Sequence, residues 1–148
     1  MTTFTSRVVH LLKIRVVSAS RTRNRYVLEG VEEYKKRIRP LARLELFTVR
    51  SGKRKKPSST RADGELRIAL DPEGDQISSE ELADLLRKNE SVSFRIGGPD
   101  GFSDRERADC DMVISMSRMT FTGELTQLLL MEQIYRALTI INSHPYHR

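Results

Sequence analysis

Cysteine is almost missing from this chain. Cys110 stands alone, so no disulfide framework can form within it, and the composition fits a reducing compartment such as the cytoplasm. Tryptophan is absent and aromatic residues make up only 6% of the chain, with no basic stripe interleaved with rings of the kind that stacks single-stranded nucleic acid. No apolar run approaches the ~18 residues of a membrane span. Residues 1–10 lack the apolar core of a signal peptide and read as a ragged lead-in to the first strand. There is no G-x-S-x-G nucleophile motif, and Cys110 lies between two acidic residues that raise a thiol pKa. No metal set is visible, because His144 and His147 are the only close pair and no Cys or carboxylate sits beside them. No Gly-Lys-Ser/Thr closes a phosphate loop. A chain without nucleophile, metal or phosphate loop points to chemistry carried by a bound cofactor, with the protein positioning the reactants.

What is present is positive charge. The net charge is +6 over 148 residues, a length that suits one domain with a normal core. Basic residues crowd residues 21–25, then Lys35, Lys36, Arg37 and Arg39, then residues 53–56 in a basic loop over 51–64. Any single run is usually a solvated face. Together, on a small basic chain, they favour a polyanionic partner, with nucleic acid foremost.

The periodicity predicts strands over residues 12–17, 44–49, 66–70, 92–96 and 111–116, and helices over 26–39, 78–88 and 124–141. Ser78 with Glu81, and Ser103 with Glu106, have capping-box spacing, and Thr122 can cap the last helix. Leu125, Leu128, Met131, Leu138 and Ile141 form an apolar stripe on that helix. The turn at residues 71–74 closes the third strand. Strands alternating with helices predict an α/β domain with a mostly parallel sheet flanked by helices. Such sheets bind ligands beyond the carboxy ends of their strands, where the glycine loop at 97–101 and the loop at 117–122 both fall.

The loop Gly97-Gly98-Pro99-Asp100-Gly101 is either a tight strand-to-helix turn or a place for close backbone approach to a ligand. It lacks the spacing of a dinucleotide fingerprint. Glu132 and Arg136 read as an i,i+4 surface pair worth ~0.3–0.5 kcal/mol, or as an Arg aimed at a phosphate or carboxylate. The chain ends on His144-Pro145-Tyr146-His147-Arg148, an unusual concentration of groups that bind anions, stack on bases and move protons.

These segments carry a resemblance. Residues 96–101, 115–122, 130–137 and 144–148, in this order, with similarity also at 30–37, 70–74 and 78–83, resemble the ribosomal RNA large subunit methyltransferase H family of the SPOUT class. The match spans about residues 12–148. It implies a homodimer with a trefoil knot in the carboxy-terminal third, which unaided topology rules disfavour. It implies S-adenosyl-L-methionine as methyl donor, and N3 methylation of a pseudouridine in 23S rRNA on the assembled ribosome. By position, cofactor contacts would come from Leu70, Gly97, Gly98, Met116, Ser117, Arg118, Met119, Thr120 and Phe121. Arg136, Tyr146, His147 and Arg148 would lie by the substrate. No metal and no membrane are implied. The chain departs from the family where Gly123 and Gln127 stand in place of the usual His and Arg, at a shortened stretch over 51–65, and at residues 18–20 in place of a glycine turn. Two other readings stay open: a non-catalytic ribosome- or RNA-binding protein on the same scaffold, and a small-molecule enzyme using the glycine loop for a nucleotide.

Overall fold

The computed structural model describes residues 11–19, 21–49 and 64–148. The lead-in at residues 1–10 and the basic loop, apart from Gly64, lie outside the described residues. Five strands form one sheet in the order β2-β1-β4-β3-β5. They are β1 Lys13–Ser18, β2 Arg43–Thr48, β3 Leu66–Gln76, β4 Ser91–Ile96 and β5 Met112–Ser115, and every pairing is parallel. Helices α1 Arg25–Ile38, α2 Ser79–Lys88, α3 Asp104–Ala108 and α4 Gly123–Ile141 flank it.

Both capping boxes form: Ser78 accepts from the Glu81 amide and Ser103 from the Glu106 amide, while each glutamate reaches back. Thr122 caps α4 by accepting from the Leu125 amide at 3.3 Å. Side chains alternate across each strand. Ile14, Val16, Ile68, Leu70, Val92, Phe94 and Ile96 therefore share one face, and they join the buried residues of α1, α2 and α4 in a single core. The opposite face carries Arg15, Arg67, Ser93 and Arg95, where Arg67 is fully buried and pairs with Asp109 at 2.5 Å.

Two expectations need correction. The turn at residues 71–74 does form, with Asp71 accepting from the Glu73 amide at 2.9 Å, but it does not end the strand. Leu70 and Asp75 both pair opposite Ile114, so the four residues bulge out and β3 resumes. Gly74 permits this return: a Cβ there would lie 2.7 Å from the carbonyl carbon and oxygen of Val113. The buried surface of α4 is also wider than one stripe. Leu130, Met131, Ile134, Ala137 and Leu138 are buried, whereas Leu125, Leu128 and Ile141 are only partly covered. The helix packs against both α1 and α2, so two flanks are covered instead of one.

Candidate functional site

The bulge of β3 and the ends of β4 and β5 open onto a cavity of about 370 Å³. Leu70, where the bulge of β3 begins, forms part of its wall, Gly97 and Gly98 follow β4, and Met116, Ser117, Met119, Thr120 and Phe121 follow β5. The glycine loop closes through the Gly101 amide, which donates to the Gly98 carbonyl at 2.9 Å. Gly101 takes a φ of 72°, a conformation most side chains avoid. A Cβ on Gly97 would lie 3.2 Å from the Gly101 carbonyl carbon, whereas one on Gly98 would only touch the Ala19 methyl at 3.7 Å. The opposing loop is also held by its own bonds. Ser115 Oγ donates to the Ser117 carbonyl at 2.8 Å, and the Met119 amide donates to Ser117 Oγ at 3.0 Å. Among the described lining residues the only charged side chain is Asp71, which is engaged by Arg107 at 2.7 Å.

A second cavity of about 410 Å³ shares Leu70, Met116, Ser117 and Phe121 with the first. Its floor is apolar, from Phe94, Ile114 and Leu130, and its rim carries Ser79 and Gln133.

Those two rim residues begin a closed ring of side chains. Ser79 Oγ donates to Gln133 Oε1 at 2.6 Å, and Gln133 Nε2 donates to Glu132 Oε2 at 2.9 Å. Glu132 Oε1 accepts from Arg136 Nε at 3.0 Å, from Arg136 Nη2 at 2.6 Å and from the Tyr146 hydroxyl at 3.1 Å. Arg136 Nη1 meets His147 Nδ1 at 3.1 Å, and His147 Nε2 meets Glu80 Oε1 at 2.7 Å, returning to α2 beside Ser79. A guanidinium only donates, so Nδ1 is the acceptor and the ring proton sits on Nε2, donated to Glu80. The Arg136 guanidinium also lies 4.9 Å from the Tyr146 ring centre, and the Tyr135 and Tyr146 rings meet edge to face at 4.7 Å. Burial, with a hydrogen bond to Tyr34 and the Glu132 charge adding, pushes the Tyr146 phenol up to about 12. The hydrogen bond from His147 holds the Glu80 carboxyl below its usual range, and the bond that Arg136 donates to Glu132 raises Arg136 further.

Comparison with known proteins decides the family. The family model described as "Predicted SPOUT methyltransferase" matches residues 12–147. The chain is 40% identical over 139 residues to a ribosomal RNA large subunit methyltransferase H of Thermus thermophilus, covering 93% of this chain and 99% of that protein. It is 38% identical over 152 residues to the protein of the same name from Geobacter sulfurreducens, covering 92% and 99%. The chain belongs to this SPOUT methyltransferase family. The crystal structure of a probable methyltransferase from Bordetella pertussis Tohama I shares the fold, with a TM-score of 0.57 at 12% identity over 87% of this chain and 96% of that one.

Within this methyltransferase framework, all the residues expected at the cofactor except Arg118 line the first cavity, and Arg118 is exposed on its loop. Arg136, Tyr146 and His147 meet in the ring, whereas Arg148 is exposed. Gly123 lines the first cavity at the start of α4. Gln127 is buried and accepts from the Thr22 hydroxyl at 2.8 Å. Glu80, Ser79 and Gln133 escape sequence reading, because their contacts join positions 54 and 67 residues apart. The signal available is Glu80 inside a capping box, which explains its neighbours without pointing at the tail. Burial pushes the Cys110 thiol up, with Asp109 and Asp111 adding and Arg95 opposing, so position within the fold outweighs the acidic neighbours. Among the described residues no group of three or more His, Cys, Asp or Glu could hold a metal, and no helix is long and apolar enough to cross a membrane.

Proposed function

We propose that this chain transfers a methyl group from S-adenosyl-L-methionine to N3 of a pseudouridine in 23S rRNA on the assembled ribosome, in the cytoplasm, as a homodimer with a trefoil knot in its carboxy-terminal third. The observation that carries the reading is the convergence of Leu70 at the β3 bulge, the glycine loop and the 116–121 loop on one cavity. That cavity fits the cofactor. Its size is within the range of small-molecule sites. Leu70, Ile96 and Phe121 offer apolar surface to an adenine ring. Gly97 leaves backbone amides and carbonyls free of side chains, and no cation lies among the described lining residues to oppose a sulfonium.

S-adenosyl-L-methionine, when bound, supplies an electrophilic methyl that needs little covalent help. The chain's work is therefore alignment, which can contribute ~7–11 kcal/mol. The two hydrogen-bonded loops hold the donor side fixed. Glu132 fixes Arg136 and Tyr146 on the substrate side, so that Arg136 and Arg148 meet RNA phosphate and Tyr146 orders the tail. His147 assists loss of the imino proton. Both its ring nitrogens are engaged by Arg136 and Glu80, so it must leave one of them before accepting a proton.

The relatives' names, which describe rRNA large subunit methyltransferases, support the substrate class. Gly123 and Gln127 favour the second reading, a non-catalytic ribosome-binding protein, because they stand where the family usually has His and Arg. Transfer of label from S-adenosyl-L-methionine to whole ribosomes, to free rRNA and to the protein alone separates the two. Label located at a pseudouridine of 23S rRNA is the expected result. Cofactor binding measured by calorimetry, with no label in any RNA, would turn the reading to the binding protein.

A further inference from the structure

The basic run at residues 21–25 is not a loose surface segment. Glu124, the second residue of α4, receives the backbone amides of both Arg23 and Asn24, the latter at 2.9 Å, and the Asn24 side-chain amide at 2.5 Å. Thr22 is tied to the buried Gln127 at 2.8 Å. The carboxylate thus serves the start of α1 from a helix about a hundred positions away in the sequence. Those backbone hydrogen bonds hold the Glu124 carboxyl below its usual range, so it is charged at neutral pH. The anchor adjoins Gly123, and Thr122, Gly123 and Thr126 line the first cavity. Meanwhile the guanidinium groups are left to solvent. Arg21, Arg23 and Arg25 are exposed, and Arg25 reaches Glu29 only at 3.8 Å with its side chain 92% exposed. An exposed pair of that kind holds its charge weakly.

We propose that Arg21, Arg23 and Arg25 form a phosphate grip for RNA at the lip of the first cavity, positioned there by Glu124 and Gln127. This rests on the RNA methyltransferase reading above. The grip sets the register of the strand, while the cavity receives the reacting base. Contacts of this kind give position and affinity without sequence information. The inference also assigns Gln127 work of its own, tethering the arginine segment through Thr22.

The test is a titration of binding to large ribosomal subunits from about 50 to 200 mM salt, for the wild-type protein and for an Arg21→Gln/Arg23→Gln/Arg25→Gln variant. The log–log slope is expected to become shallower by about one unit for each phosphate no longer gripped, with the melting temperature unchanged. An unchanged slope, or no salt-dependent binding by the wild type, overturns the grip. A Glu124→Ala variant tests the anchoring separately. Removing an acidic residue raises the positive charge, and electrostatics alone would tighten RNA binding. Anchoring predicts several-fold weaker binding instead, and tighter binding overturns it. Methyl transfer by the wild type, measured in parallel, reports on the methylation reading alone. Loss of label with an intact slope difference leaves the grip standing and removes the reaction.

Discussion

The first cavity and the carboxy-terminal ring are neighbours built in opposite ways. The cavity is made by backbone: a glycine loop, a loop tied by serine hydroxyls to its own chain, and a bulge in β3 that needs Gly74. The ring is made by side chains, six of which pass hydrogen bonds between α2, α4 and the tail, with Tyr146 hung on Glu132. A backbone site is as rigid as the sheet beneath it, so damage there is damage to the fold. A side-chain site can lose its geometry while the fold survives. Mutations should therefore separate the two regions by whether stability or turnover falls first.

The largest expected effect lies in the core beneath the second cavity. Phe94 is 1% exposed and floors the second cavity. Phe94→Ala should cost about 3–5 kcal/mol of unfolding free energy in a urea titration, taking activity down through the folded population. Gly74→Ala comes next. Its new methyl would meet the backbone of Val113 and Ile114 at 2.7–2.8 Å, which cannot rotate aside. A loss of about 1–3 kcal/mol is expected. Gly98→Ala, facing ordinary contact at 3.7 Å, is the control and should leave the denaturation midpoint nearly in place. Equal losses at Gly74 and Gly98 would show that the bulge is softer than its geometry implies.

The same division explains what is legible in the sequence. Period and capping chemistry are local, so the elements read closely: the two capping boxes and Thr122 all fall where their spacing places them. The bend at 71–74 is legible as a turn, but the sequence alone makes it the end of a strand. Asx chemistry is local, whereas the resumption of β3 depends on β5, some 40 residues on. The α/β pattern places the loops at 97–101 and 117–122 beyond strand ends, while Leu70 and the individual cofactor contacts are reached only through family resemblance. Glu132 is visible in the sequence only as an i,i+4 partner of Arg136, with a surface value of a few tenths of a kcal/mol. Its further bonds to Tyr146 and Gln133, and its side-chain exposure of 20%, make it the centre of the ring. Long-range side-chain meetings of this kind leave no periodic trace.

Glu132→Ala is accordingly the sharpest test of the side-chain region. It strips the acceptor from Arg136, Tyr146 and Gln133 at once. A displacement of about 1 Å in a positioning group can cost roughly 10²-fold in rate. Methyl transfer should fall by about that factor while the urea midpoint moves far less than in Phe94→Ala. Glu132→Gln, which keeps an acceptor oxygen but not the charge, should recover part of the rate. A fall in stability to match the fall in rate would erase the distinction between the two regions.

The smallest effects come from pH, and two of them act on the ring. Tyr146 is an acid whose folded pKa, about 12, lies above its ordinary value of 10.0. Its contribution is therefore complete below pH 10 and fades as pH rises toward 12. Glu80 is shifted the other way, below 4.5, so its hold on His147 is present above that pH and is lost as pH falls through the lowered value. The chain has no Trp and four Tyr, of which Tyr34, Tyr135 and Tyr146 cluster and Tyr26 is exposed, so tyrosine fluorescence and ultraviolet difference absorbance report on Tyr146 against a known exposed background. Alkaline titration should show one late-titrating phenol that disappears in Tyr146→Phe. Acid titration should show a change in tyrosine emission before the far-ultraviolet circular dichroism moves. Coincident loss of emission and circular dichroism would mean that the tail is released only when the sheet unfolds, and that the ring is as much a part of the fold as the cavity beside it.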